Sequence, residues 1–195
     1  FNPAALKVNL DVVNKGGLII VNEDEFTDKN LKKAGFDGNP LDPSSDTLKD
    51  FRVHKIPITT LTLQALDEMD MGHGDKLRCK NFLALGVVSW LFSRPLEPIE
   101  KFLNKKFGKK PQVLEANLKV LHAGFNICDT MEIFPVMYKV PPAKLEPGTY
   151  RNINGALATS YGLLVASQKI DIPIVFSGYP ITPASEILHT LAALK

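Results

Sequence analysis

The hydrophobic positions of the first 58 residues alternate between helical spacing and short apolar runs. Apolar residues recur at the spacing of one helix face over residues 3–13, after Asn2-Pro3, a pair typical of a helix start. Gly16-Gly17 stops this helix before an apolar run at 18–21, which predicts a buried strand. A second strand is predicted over 52–58. A helix, a glycine turn and a buried strand form half of a βαβ unit, so we predict an α/β fold.

Longer apolar or amphipathic stretches follow and predict helices over residues 59–69, 80–92, 96–107 and 112–125. The stretch 80–92 is nearly continuously apolar, so it should be the most buried helix. Residues 35–50 are rich in Gly, Pro, Asp and Ser and predict a loop.

The pattern breaks at residues 135–150, where prolines and a glycine leave no regular period. It then restarts, and predicts a helix over 156–169, a buried strand over 172–176 and a helix over 185–194. We therefore predict a first domain at 1–137, a proline-rich linker at 138–150 and the start of a second domain at 151–195. The chain opens at Phe1 without Met and closes inside a predicted helix, so we expect a piece of a longer protein.

Composition and charge exclude several classes. The 195 residues carry 23 Lys plus Arg against 21 Asp plus Glu, a net charge of +2, so no basic field indicates a nucleic-acid partner. No window approaches the ~20 apolar residues of a membrane span, and no secretory signal is visible. We expect a cytoplasmic protein with no membrane partner. The two cysteines, Cys79 and Cys128, are too few for an iron–sulfur cluster, and we expect no metal site.

Three groups of polar residues are candidates for chemistry, each with a simpler structural interpretation. They are the lysine run Lys105, Lys106, Lys109 and Lys110, the scattered histidines His54, His73, His122 and His189, and the acids Glu23, Asp24 and Glu25 after the first strand. The lysines favour a solvated helix end over an anion site. No histidine has metal-ligand spacing, and His73 is expected in a flexible surface loop. The acids are expected in a solvated loop rather than a ligand site.

The segment after the predicted strand 172–176 has a different character. Pro180 and Pro183 stiffen the backbone around Thr182, at the carboxyl end of that strand, where α/β sheets bind ligands. Ser185 and Glu186 fall in the first turn of the following helix, where capping groups are expected. From the residues alone, a ligand-binding corner and a helix-capping turn remain equally open.

Tyr179-Pro180-Ile181-Thr182-Pro183 resembles the signature turn of the 2-oxoacid:ferredoxin oxidoreductases, which are thiamine-diphosphate enzymes. The chain looks like the form in which a gamma-type domain is fused ahead of a pyrimidine-type domain in one alpha subunit. Other segments are also similar to that subunit: Asn2-Pro3-Ala4-Ala5-Leu6-Lys7-Val8-Asn9, Gly16-Gly17-Leu18-Ile19-Ile20-Val21-Asn22, Arg78-Cys79-Lys80-Asn81, Ala84-Leu85-Gly86, Arg94-Pro95-Leu96-Glu97-Pro98 and Tyr150-Arg151-Asn152-Ile153. The resemblance covers nearly the whole chain.

The resemblance implies a partial gamma-type α/β domain followed by the start of a pyrimidine-type α/β domain. It implies a beta subunit as partner, which carries thiamine diphosphate, Mg²⁺ and an iron–sulfur cluster, so that this chain alone binds none of them and is not active alone. The reaction implied is oxidative decarboxylation of a 2-oxoacid, most similar to 2-oxoglutarate, to acyl-CoA and CO₂, with coenzyme A as co-substrate and ferredoxin as electron acceptor.

The same resemblance assigns roles within the signature turn. The family's threonine reaches the substrate beside the thiazolium ring, and this role carries over to Thr182 as the catalytic residue. The substrate- and cofactor-proximal positions are Tyr179, Pro180, Ile181, Pro183, Ser185 and Glu186. The glycine-rich opening of the gamma domain and the carboxylate-binding arginine of the pyrimidine domain are not in this sequence.

Two other functions compete with this interpretation. One is a non-catalytic α/β interaction domain that docks a partner through its lysine-rich face. The other is a related thiamine enzyme with a different acceptor, for example an indolepyruvate-type oxidoreductase. The turn around Thr182 discriminates against the first, because an interaction module has no reason to keep it.

Overall fold

A computed structural model describes residues 1–179 and 181–194. The chain divides into two compact units, Phe1–Pro142 and Ala143–Lys195. The division falls inside the stretch predicted as a linker, and the domain types assigned to the two parts remain predictions.

The first unit is built from two strands and seven α-helices in the described residues. In chain order these are α1 Pro3–Asn9, β1 Leu18–Asn22, α2 Asp28–Ala34, β2 Arg52–Ile56, α3 Ile58–Ala65, α4 His73–Arg78, α5 Lys80–Leu91, α6 Glu97–Phe107 and α7 Pro111–Thr130. Short 3₁₀ turns lie at Leu10–Val12, Glu23–Glu25 and Asp46–Leu48. The α/β prediction is confirmed.

The strands β1 and β2 pair in parallel, from Leu18 opposite Arg52 to Asn22 opposite Ile56, and α2 lies in the connection between them. The predicted helix start is also confirmed, because the Asn2 side chain accepts a hydrogen bond from the amide of Ala5 at 2.8 Å. The second strand is shorter than predicted. It ends at Ile56 because α3 begins two residues later, after Pro57.

The core of the first unit contains a close crossing of α5 and α7. A Cβ atom added to Gly86 would overlap the carbonyl oxygen of Leu121, and one added to Gly124 would overlap that of Leu83. The glycines therefore allow backbone contact that no larger residue permits. Around them lie the apolar side chains Leu83, Val87, Leu91, Val120 and Cys128, all at most 1% exposed.

A second apolar cluster covers the other face of the small sheet, because Ile19 and Val21 belong to it while Leu18 and Ile20 pack against the first cluster. Leu6 of α1, Val21 of β1, Leu31 of α2 and Leu48 pack together there, each less than 9% exposed. Helix α2 ends with Gly35 in the left-handed region, at φ 72°. The loop predicted at 35–50 contains a single 3₁₀ turn, and His73 begins α4 instead of lying in a loop. That expectation fails because a six-residue helix shows no hydrophobic period.

The second unit contains α8 Gly155–Ile170 and α9 Ser185–Ala193, which pack against each other. Asn154 caps α8, and the helix ends at Asp171 with φ 52°. The buried strand predicted at 172–176 is wrong. These residues form no strand, and Ile172 is 58% and Val175 93% exposed. A strand needs a neighbour for its backbone N–H and C=O groups, and the described part of this unit provides none.

Across the described ranges, no helix is both long and apolar enough to cross a membrane.

Candidate functional site

The predicted site lies between α8 and α9, in the segment 177–186, called here the Thr182 turn. The amide of Ile181 donates to the carbonyl of Tyr179 at 2.8 Å, and Pro180 lies outside the described residues. Tyr179 is 84% and Ile181 64% exposed, and Thr182 is also exposed. The turn therefore presents its side chains to the surface of the unit.

The Thr182 turn is hydrogen-bonded into the start of α9. The amide of Ser185 donates to the carbonyl of Ile181 at 3.1 Å, and the amide of Glu186 donates to that of Pro183 at 3.1 Å. Pro183 and Thr182 are joined by a cis peptide bond. The backbone from 181 to 186 thus forms one connected turn, in which the position of Thr182 depends on where α9 begins.

The capping interpretation of Thr182 does not describe the turn. The N-cap of α9 is Ala184, which has no capping side chain, and no described backbone amide donates to the Thr182 hydroxyl. Ser185 and Glu186 do fall in the first turn of α9, as predicted. The predicted sheet edge is absent, because residues 172–176 form no strand. What holds the turn here is α9.

Glu186 makes the contact that sequence reasoning missed. Its carboxylate accepts two hydrogen bonds from Nδ2 of Asn154, at 3.0 Å to Oε1 and 3.1 Å to Oε2. The same asparagine caps α8, because its Oδ1 accepts from the amide of Leu157 at 2.8 Å. The cap is readable from Asn154-Gly155 before an apolar helix, whereas the partner 32 residues away is not.

The acids after β1 have structural partners. The Asp24 carboxylate accepts from both the amide and the hydroxyl of Thr60 at 2.9 Å, and Glu25 pairs with the Lys80 ammonium at 2.8 Å. The residue before them, Asn22, is fully buried and was not predicted as important. These acids tie the strand end to α3 and α5 instead of forming an open ligand site.

The side chain of Asn22 caps the start of α3, although it lies 36 residues earlier in the chain. Its Oδ1 accepts from the amides of Ile58 at 2.9 Å and Thr59 at 3.4 Å, and its Nδ2 donates to Oγ1 of Thr59 at 2.9 Å. The start of α3 has no cap from its own N-cap residue, Pro57. The end of β1 therefore supplies the missing acceptor for α3.

The lysine run is exposed, as the solvated-face interpretation predicts. Lys105 and Lys106 lie in the last turn of α6, and Lys109 and Lys110 lie just before α7. The Lys106 ammonium lies 5.3 Å from the ring centre of Phe102, which is itself half exposed.

The histidines are also separated in space. Nε2 of His122 lies 2.9 Å from a carboxylate oxygen of Glu100, and the His54 ring packs against Phe134 at 4.6 Å between centres. His73 begins α4, and His189 is exposed on α9. Within the described ranges, no group of three or more His, Cys, Asp or Glu side chains is placed to hold a metal ion.

The two thiols are buried and do not fit a cluster. Burial raises the pKa of the Cys128 thiol to about 11, and burial also raises the pKa of Cys79. An iron–sulfur cluster takes about four thiolates. The described residues of this chain contain two free cysteines, both buried, so they do not provide the four thiolates of a cluster.

Comparison with known proteins agrees with the sequence resemblance. Residues 1–127 match the family described as pyruvate ferredoxin/flavodoxin oxidoreductase. Over 194 residues the chain is 48% identical to 2-oxoglutarate oxidoreductase subunit KorA of Mycobacterium tuberculosis, with 100% of this chain and 29% of the relative covered. It is 25% identical over 151 residues to 2-oxoacid:ferredoxin oxidoreductase 1, subunit alpha, of Aeropyrum pernix, with 75% of this chain and 22% of the relative covered.

One solved structure is similar over almost the whole chain. It is the 2-oxoglutarate:ferredoxin oxidoreductase from Magnetococcus marinus with 2-oxoglutarate, coenzyme A and succinyl-CoA bound. The TM-score is 0.65 at 25% identity, with 99% of this chain and 29% of that chain covered. The chain therefore spans less than a third of the length of the relatives it matches.

Proposed function

Because the chain belongs to the pyruvate ferredoxin/flavodoxin oxidoreductase family, we propose that it acts as part of the alpha subunit of a 2-oxoglutarate:ferredoxin oxidoreductase. In this reaction a 2-oxoacid loses CO₂, its acyl group passes to coenzyme A, and the electrons leave to ferredoxin. The 48% identity to a 2-oxoglutarate oxidoreductase subunit over the whole chain carries the proposal. The solved relative with 2-oxoglutarate, coenzyme A and succinyl-CoA bound supports the same substrates.

The cofactors belong, in this proposal, to a partner. Thiamine diphosphate would supply the electron sink for decarboxylation, and an iron–sulfur cluster would carry the electrons. The resemblance to the family implies a beta subunit that carries these groups, so we assign them to that partner. The complete enzyme works in the cytoplasm, and residues 1–137 and 151–195 represent its gamma-type and pyrimidine-type domains, joined by the linker 138–150.

We assign the substrate contact of this chain to Thr182. Its hydroxyl is exposed on a turn that hydrogen bonds hold to α9, and it caps no helix. A donor held in this way can approach the carboxylate or ketone oxygen of a 2-oxoacid with little reorganisation, which is what makes fixed donors effective in catalysis. Tyr179 is exposed beside it and is suited to pack against the partner subunit.

The test is Thr182→Val in the complete complex of alpha and beta subunits. This change keeps the shape and removes the hydroxyl, so we expect kcat/KM for 2-oxoglutarate to fall by about 10²–10³, as for the loss of one fixed donor. Thr182→Ser, which keeps the hydroxyl, should recover most of the activity. Thr159→Val makes the same substitution on the exposed face of α8 and should leave turnover unchanged.

A Thr182→Val complex with wild-type turnover and a lowered melting temperature would instead make the turn purely structural. The substrate is tested separately, because the family description names pyruvate while the relative with 48% identity is named for 2-oxoglutarate. We expect a higher kcat/KM for 2-oxoglutarate than for pyruvate. Equal or reversed values would contradict the proposed substrate, and a complex without either activity would favour the interaction domain with its lysine-rich face.

A further inference from the structure

The side-chain amide of Asn154 forms hydrogen bonds to two different helices. Its oxygen accepts the amide hydrogen of Leu157 at 2.8 Å and so caps α8. Its nitrogen donates to both carboxylate oxygens of Glu186, at 3.0 and 3.1 Å, in the first turn of α9. Among the described residues, this is the one side-chain hydrogen bond that joins α8 to α9.

Glu186 is connected to Thr182 through the backbone. Its amide donates to the carbonyl of Pro183, and the amide of Ser185 donates to that of Ile181. The two accepting carbonyls belong to the Ile181–Thr182 and Pro183–Ala184 peptide units, so a shift of the start of α9 is passed to the backbone that flanks Thr182-Pro183. The other polar contact between the end of α8 and the segment after it lies at Ser167 and Ile172, ten residues before Thr182.

We propose that Asn154 and Glu186 are positioning residues for Thr182, a role that rests on the proposed function. Both side chains are exposed, so their hydrogen bond adds little to the free energy of unfolding. Its directional, charge-assisted geometry instead fixes where α9 begins relative to the cap of α8. A reacting group displaced by about 1 Å can lose 10²-fold in rate, so a contact that is weak in stability has a large effect on turnover.

The decisive experiment uses two variants of the complete complex. The first removes the donor of this hydrogen bond, and the second restores a donor on the opposite side chain. Asn154→Asp keeps an oxygen that caps α8 but replaces the donor with a second carboxylate facing Glu186. We expect kcat for 2-oxoglutarate to fall by about tenfold or more, in line with the displacement argument. Adding Glu186→Gln restores one donor and one acceptor in the opposite direction, so the double variant should recover most of the lost kcat.

A matched control uses the neighbouring asparagine. Asn152 is exposed and its side chain has no hydrogen bond to a described residue. Asn152→Asp adds the same charge two residues away and should leave kcat unchanged. Loss of kcat in this control equal to that in Asn154→Asp would show that added charge is the cause, and would overturn the proposal.

Hydrogen exchange provides a readout that does not depend on turnover. In Asn154→Asp, amides of the peptide covering 181–190 should exchange faster than in the wild type, and the double variant should restore slow exchange. Unchanged exchange and unchanged kcat in Asn154→Asp would overturn the proposal, as would a double variant that recovers neither. If exchange responds as expected while Thr182→Val has normal turnover, the positioning contact stands and the catalytic role of Thr182 fails.

Discussion

Apolar helices are buried in the first unit and largely exposed in the second. In the first unit the apolar positions of α5 become core, with Leu83, Val87 and Leu91 at most 1% exposed. In the second unit α8 is also largely apolar by sequence, yet Ser160 is the one buried residue among those described there. The apolar residues of a sequence therefore predict where a helix forms, whereas burial of their side chains requires a second surface to pack against.

The contrast extends to the strands. The run 18–21 became β1 because β2 pairs with it over five residues. The run 172–176 has a similar composition but no described strand beside it, and Val175 is almost fully exposed. A helix satisfies its own backbone groups, and a strand does not. This is why helix predictions were confirmed in both units and strand predictions only in the first.

The largest effect should come from a glycine at the α5–α7 crossing. Gly124→Ala places a Cβ against the backbone of Leu83, which cannot move aside as a side chain would. We expect the free energy of unfolding to fall by about 3 kcal/mol or more, at the upper end of overpacking effects. Urea unfolding followed by circular dichroism measures this change.

Gly162→Ala is the matched control in the second unit. Nothing lies within 4 Å of a Cβ at this position in the middle of α8. Alanine is the better helix former by about 0.8–1 kcal/mol, so this variant should be unchanged or more stable. Equal destabilisation by the two substitutions would break the comparison between a packed and an open unit.

A second prediction compares the two asparagine caps. Asn22→Ala leaves the buried amide of Ile58 without its acceptor, and should cost about 2–3 kcal/mol in the free energy of unfolding. Asn154→Ala exposes the amide of Leu157 to water and should cost about 1 kcal/mol. Thermal or urea unfolding of both variants checks the order, and a larger loss for Asn154→Ala would contradict it.

A third prediction concerns pH and Cys128. Burial raises its pKa from the ordinary value of 9.0 to about 11, so the folded chain holds this proton more tightly than the unfolded chain. The resulting stability is fully present below pH 9 and is lost as the pH rises toward 11. Between pH 8 and 10 the wild type should lose about 1 kcal/mol more than Cys128→Ala. Parallel pH dependences for the two proteins would show that this thiol does not contribute.

The smallest effect on folding should come from cutting the chain between the units. Residues 139–150 are exposed or nearly so and contain no helix or strand. Limited proteolysis should therefore cut first between Val140 and Tyr150, with the helical signal almost unchanged. Early cuts within residues 80–92 would contradict the division.

The sequence predicts elements better than contacts. Helices α5 and α6 agree with their predicted bounds to within one residue at each end, while α7 ends five residues beyond its predicted end. Helix α4 was missed because six residues carry no period. The sequence does not mark Asn22 and Asn154 as functional residues, because each forms a hydrogen bond to a group more than thirty residues away. The Thr182 turn was found through its prolines and its family resemblance, although the strand expected before it is absent.

Asn154, which caps α8, is also prone to deamidation. Asn154 is followed by Gly155, whose backbone nitrogen has no side chain to shield it from the asparagine amide. Attack of that nitrogen on the side-chain carbonyl releases ammonia, and hydrolysis of the cyclic imide leaves aspartate or isoaspartate. The aged chain then has a carboxylate in place of the donor that holds Glu186. Stored enzyme should lose turnover in proportion to the deamidated fraction of Asn154, which peptide mapping by mass spectrometry measures directly.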